Sequence, residues 1–184
     1  CKGVAGEHGV RRGFQGFVPQ RANGAVDYRQ RQYQYGDSLA NQWPAIIDAL
    51  SQQEQVVAIT PNIEGDATLF YQGKSVFARI RGIDPSREIA ALNAPTANDR
   101  EVLARLAETP GGIVLAPGLA SQLGIFGSAE LRANALSKLL GRRLGEALGL
   151  QVVGYLDFGL YGNTESALLN LSSAESLFAG ETTS

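Results

Sequence analysis

The sequence predicts an α+β (mixed α/β) domain, and three patterns predict it. A long β-hairpin is written into residues 67–80, where Ala67, Leu69 and Tyr71 alternate with Thr68 and Phe70. After a turn, Val76, Ala78 and Ile80 alternate with Phe77 and Arg79. Helical periodicity comes from Leu39, Trp43, Ile46, Ile47 and Leu50, and again from Val102, Leu103, Leu106 and Ala107. Short apolar runs at 56–59, 113–116 and 150–156 supply further strands. Two strands alone are marginal in water, so the hairpin requires partner strands and a covering helix.

In chain order, residues 1–37 read as an extended N-terminal segment rich in Gly, Arg and Gln. Gly16–Pro19 is an edge-strand candidate, and Tyr28, Tyr33 and Tyr35 lie among Gln and Arg. Asp37 or Ser38 opens the first helix, in which Pro44 falls within the first turns and Trp43 packs on the sheet. The Val56–Ile59 run is predicted to stop at Pro61. Gln72-Gly73-Lys74-Ser75 is the hairpin turn, with Gly73 supplying the positive φ. Asp84 before Pro85 is a turn or helix-start residue, followed by a helical patch from Arg87 to Leu92.

Asn98 or Asp99 caps the next helix, which ends at Pro110-Gly111-Gly112. Pro117–Leu123 is a short helix with Leu119 and Leu123 inward, closed by Gly124. Leu131, Leu136, Leu139, Leu140, Leu144 and Leu148 then suggest a helix, weakened by Gly141 and Gly145 at about 1 kcal/mol each. Strands over 150–156 and 167–171 follow, and Ser172 caps a last helix through Leu177 and Phe178.

Composition bounds the chemistry. The chain has 184 residues, 44% of them hydrophobic, and a formal net charge of −2, which argues against nucleic acid as a partner. Residues 1–36 hold six Lys or Arg against Glu7 and Asp27, and nothing after Arg143 is basic. A solvated surface accounts for both ends. A single cysteine, Cys1, rules out an intrachain disulfide and reads as a boundary of an excised piece or as a lipidated first residue. No run reaches the roughly 20 apolar residues of a membrane span, and there is no methionine.

The lone histidine, His8, has no ligand cluster beside it, so neither a metal site nor His-based catalysis is expected, and no cofactor is expected. Gly-x-Ser-x-Gly and phosphate-binding glycine patterns are absent. Glu64 and Asp66 around Gly65 have the spacing of a carboxylate pair but read as turn residues. The expectation is a domain that is not an enzyme.

Partner contact is expected instead at two places. One is the run Phe158-Gly-Leu-Tyr-Gly162, where Phe158, Leu160 and Tyr161 sit beside glycines; the other is the hairpin tip, with Gln72 and Lys74.

The order helix, Val-Val-Ala-Ile-Thr-Pro, hairpin, Arg81-Gly-Ile-Asp-Pro85, acidic helix, Gly111-Gly-Ile-Val-Leu-Ala-Pro-Gly-Leu-Ala-Ser-Gln-Leu-Gly-Ile125 resembles the periplasmic core domain of ABC transporter permeases. That superfamily includes the MacB, LolC–LolE and FtsX types. Gln151–Tyr161, Ala167–Leu171 and Ala174–Phe178 resemble the C-terminal part of that domain, so the likeness covers roughly residues 38–180. One departure is visible: the Leu-Ala-x-x-Leu-Gly helix of the family is followed by Gly-Asp and a strand, where this chain has the leucine-rich segment from Glu130 to Leu148.

The resemblance implies one extracytoplasmic domain over 1–184, with a porter-like β-α-β subdomain at 38–116 and a second, smaller mixed β subdomain at 117–180. It further implies a place on the periplasmic side of a bacterial inner membrane and mechanical coupling to ATP hydrolysis in a separate cytoplasmic subunit or domain. The implied partners are that ATPase, a second permease copy or paralogue, and a periplasmic chaperone or adaptor protein. The substrate class would be lipoprotein, lipid or small molecule. A free-standing lipoprotein lipidated at Cys1, acting as a binding module, is the competing expectation. A hydrolase pairing Ser with His8 is a third.

Overall fold

In the computed structural model, the described residues are 11–22, 25–35, 48–49, 52, 58–91, 96–135, 147–157 and 165–178. The strands are β1 (Arg11–Ala22), β2 (Ala25–Tyr35), β3 (Ala58–Tyr71), β4 (Lys74–Ile83), β5 (Gly112–Leu115), β6 (Glu130–Ala135), β7 (Leu148–Tyr155) and β8 (Ser166–Asn170). The helices are α1 (Pro85–Ala91), α2 (Ala97–Glu108), α3 (Pro117–Leu123) and α4 (Leu171–Phe178). The domain is therefore α+β.

One sheet runs in the order β2-β1-β3-β4-β8-β5-β7-β6, and β6 returns to pair with β3. Six strands, β3 to β6 by way of β4, β8, β5 and β7, thus close into a barrel, which removes their exposed edges. Strands from 38–116 and from 117–180 share this ring, because β8 lies between β4 and β5.

β3 is the strand around which closure is organised. One of its edges pairs with β4 from Asn62 to Tyr71. Its other edge is divided: Ala58–Glu64 takes β1 and Ala67–Phe70 takes β6. The strand does not stop at Pro61 as the sequence predicts. At Pro61 only the β1 edge has a partner, since pairing with β4 begins at Asn62, and proline is tolerated where a strand has an open edge.

The leucine-rich segment also departs from expectation. Its start is strand β6, not helix: Leu131 and Ala133 are buried between the exposed Glu130 and Arg132, Asn134 and Ala135 are both buried, and the strand is set by pairing on both sides. Residues 136–146 lie outside the described residues, as do Trp43 and almost all of the helix expected from Asp37 or Ser38.

Two glycines set how the last helix packs. A Cβ on Gly82 would stand 2.3 Å from the Ala174 Cβ, and one on Gly65 would stand 2.6 Å from the Phe178 ring. These positions are cross-strand neighbours on one face of the β3–β4 hairpin, where Ile63 pairs with Gly82 and Gly65 with Ile80. Helix α4 follows β8 directly and lies down on that face, burying Ala174, Leu177 and Phe178 with Leu69 and Ile80. Each large side chain so buried contributes about 1.5–3 kcal/mol.

On the far side α2 packs against β5 and β7, and Gly154 makes room for Val102. The cap of α2 is Thr96, whose hydroxyl accepts from Asp99 N–H while the Asp99 carboxylate accepts from Thr96 N–H. Asp99 is thus the third helical residue of a capping box and not the cap itself. Asn170, at the end of β8, donates to the Leu106 and Thr109 carbonyls and satisfies the end of α2 (2.6 and 3.2 Å).

Candidate functional site

The other face of the hairpin is polar. Glu64 pairs with Arg81 across the strands at 3.8 Å, and Asp66 with Arg79 at 3.4 Å. Both carboxylates are strand residues, not turn residues as the sequence suggests, and each faces a guanidinium. Arg81 is buried and also lies 3.7 Å from Glu88 on α1, whose side chain is 2% exposed. Asp84 holds the start of α1 in place: its Oδ1 accepts from the Ser86 and Arg87 N–H groups (3.1 and 3.3 Å). That agrees with its reading as a helix-start residue.

At the opposite end of the hairpin the chain turns through Gln72 (φ 45°) and Gly73 (φ 81°). Two successive positive φ values make the two-residue turn whose twist matches paired strands. Beside this tip lies an open groove of about 930 Å³. Its walls come from the tip, the Pro110–Gly111 turn, β6 and the start of β7, with Tyr71, Lys74, Glu130, Arg132 and Gln151 among the lining residues. An amine, a guanidinium and a carboxylate on one wall set suit it to polar, hydrogen-bonding segments.

The loop after α3 is fixed at three points. Gly124 closes the helix in the left-handed conformation (φ 77°), its N–H donating to the Ser121 carbonyl. Ile125 is buried and its N–H donates to the Ala120 carbonyl. The Tyr155 hydroxyl donates to the Gly127 carbonyl at 2.6 Å. Burial pushes the Tyr155 hydroxyl above its ordinary value of 10.0, outweighing the lowering by the Gly127 contact, and nearby Tyr71 adds a smaller push upward. From this clamped loop Phe126 projects with 86% of its surface exposed. Phe77, on β4, is 43% exposed.

Of the residues that the sequence singles out, Gln72 and Lys74 stand at the rim of the groove. The Gln72 amide donates to the Tyr71 hydroxyl (3.1 Å). Lys74 folds towards α3, where a Cβ on Gly124 would meet its Nζ at 2.7 Å. An ammonium there opposes the negative end of the helix dipole. Phe158, Leu160 and Tyr161 lie outside the described residues, as do Cys1 and His8. Sequence reasoning missed Phe126. Its signal was an apolar residue between Gly124 and Gly127, the same kind of pattern that drew attention to residues 158–162.

No protein-family model matches the sequence, and no curated protein matches it. Among solved structures, the chain is similar to the extracellular domain of the noncanonic ABC-type transporter YknZ from Gram-positive bacteria, at 13% identity and a TM-score of 0.48. That likeness covers 91% of this chain and 78% of the other.

Proposed function

We propose that this chain is an extracytoplasmic domain of an ABC transporter permease of the MacB, LolC–LolE or FtsX type. One observation carries the reading: the two motifs behind the sequence resemblance fall on the joints of the fold. In Gly82-Ile83-Asp84-Pro85, Gly82 lies under Ala174, Ile83 is buried, Asp84 caps α1 and Pro85 begins it. In the Leu119–Gly124 motif, Leu119 and Leu123 are buried and Gly124 is the left-handed cap.

In this reading the closed barrel is a rigid body that carries motion from membrane segments outward. ATP is hydrolysed by a cytoplasmic partner. The groove and the clamped Phe126 loop form the surface that meets a periplasmic partner or the transported substrate. A fixed, exposed aromatic suits that role, because little side-chain or loop entropy remains to be lost on contact. Lipoprotein or lipid release and small-molecule efflux are both compatible with such a surface.

Reporter fusions placed on either side of this segment in the full gene product test the proposal. Membrane spans before and after it, with residues 1–184 outside the cytoplasm, are the expected result. A lipid-modified Cys1 with no later span would overturn it.

A further inference from the structure

Strand register lays out one wall of the groove in rows. Arg132 of β6 lies opposite Phe70 of β3 on one side and opposite Gly149 of β7 on the other. Two residues earlier, Glu130 lies opposite Gln151. Directly opposed residues share a face, with Cβ atoms about 5 Å apart, and the two rows are about 7 Å apart. Leu131 and Leu150, the opposed pair between the rows, are buried in the barrel, so Glu130, Arg132, Gly149 and Gln151 face outward. All four line the groove, with the half-buried Phe70 at one corner. At the other edge the Gln151 N–H donates to the Gly111 carbonyl (2.9 Å) and seats the Pro110–Gly111 turn there.

Gly149 leaves space beside the guanidinium, since a Cβ there would meet nothing within 4 Å. Among the described residues neither Glu130 nor Arg132 enters an ion pair. Lys74, the groove's other cation, is drawn off towards the end of α3. The two charges on the wall cancel, so a simple anion or cation would meet repulsion beside attraction. At Arg132 β6 is paired on both sides, so recognition there runs through side chains and not through an open strand edge.

A carboxylate only accepts, a guanidinium only donates and an amide does both. The ligand that satisfies all three at this spacing carries neighbouring groups that each donate and accept, and sugar hydroxyls are such groups. The C–H face of a sugar ring suits an aromatic edge such as Phe70, and Gly149 leaves that ring room.

We propose that this patch binds a neutral saccharide, with Glu130, Arg132 and Gln151 holding hydroxyls and Phe70 flanking a ring. The assignment rests on the reading of the groove as a contact surface and names the chemistry that it contacts.

Titration of the 184-residue chain with cellotetraose, maltotetraose and tetra-N-acetylchitotetraose, followed by amide NMR, tests it. At least one of them is expected to shift the amides of 130–132 and 149–151 with a Kd of about 0.1–10 mM, as suits an open groove. Arg132→Ala weakens that binding about tenfold or more. Gly149→Val fills the gap and blocks the site, and unchanged unfolding midpoints establish that both variants fold. Raising salt from about 50 to about 500 mM leaves the affinity of an uncharged ligand unaltered.

No shift with any of these saccharides at about 20 mM, or shifts that survive both substitutions, would overturn the proposal. Tighter binding of tetraglutamate or tetralysine, lost at high salt, would overturn it in favour of a charged segment. The reporter fusions speak to the transport reading alone, so the two failures are told apart.

Discussion

The two ends of the β3–β4 hairpin are built from the same alternating strands and finish differently. At the end holding Gly65, Gly82 and Arg81, helices lie directly on both faces. α4 covers the glycine face without room for a Cβ, and α1 covers Arg81 with the buried Glu88. At the turn end the strands run out to Gln72 and Gly73, and the neighbouring elements leave a groove, while Phe126 stands exposed on the loop after α3. Close packing fixes the first end, so its sequence is constrained by volume and charge. The second end keeps its shape through turn geometry and a clamped loop, which leaves its side chains available for contact.

Substitutions that press on each end sharpen this contrast. The largest effect is expected from Gly82→Val. Its Cβ meets the Ala174 Cβ at 2.3 Å, and overpacking of that kind costs about 3 kcal/mol. Gly149→Ala at the groove, where a Cβ meets nothing within 4 Å, should move the urea midpoint far less. Glu88→Ala comes next, at about 2 kcal/mol. It removes a buried carboxylate from Arg81, but Glu64 remains beside the guanidinium and tempers the loss.

Tyr155→Phe should cost about 1 kcal/mol by releasing the Gly127 carbonyl. Because the native hydroxyl titrates above 10.0 while the unfolded one titrates near it, its contribution is complete below that pH and is lost as pH rises further. The parent chain should therefore lose stability above about pH 10 more steeply than the Phe variant, which thermal unfolding at stepped pH would measure. Phe126→Ser is expected to change stability by less than about 0.5 kcal/mol, since that ring is mostly in water. A large loss in denaturant titration would place Phe126 in the packed end of the molecule and undo the contrast.

The hairpin was legible because alternation and Gly73 are local signals, and Asp84, the α3 helix and its Gly124 cap were legible for the same reason. What escaped was long-range. Leu131 and Leu136 belong to a run of leucines that also fits a helix; β6 is a strand because β3 and β7 flank it, and those partners are distant in sequence. Pro61 reads locally as a stop, yet β3 passes through it because one edge there is open. The site divides in the same way. Gln72 and Lys74 could be picked from the turn, but the groove exists only once β6, β7 and the Pro110–Gly111 turn are brought beside them.

Everything at the open end therefore depends on β6 closing against β3. A cysteine pair at Phe70 and Arg132, in a Cys1→Ser background, tests that closure directly. These residues are cross-strand partners, and antiparallel partners have Cα atoms about 4.5–5.5 Å apart, within disulfide range. Rapid and near-complete intramolecular disulfide formation under native conditions, abolished in denaturant, is the predicted result. A folded monomer in which both thiols stay free under the same oxidant would contradict the closed barrel and the groove built upon it.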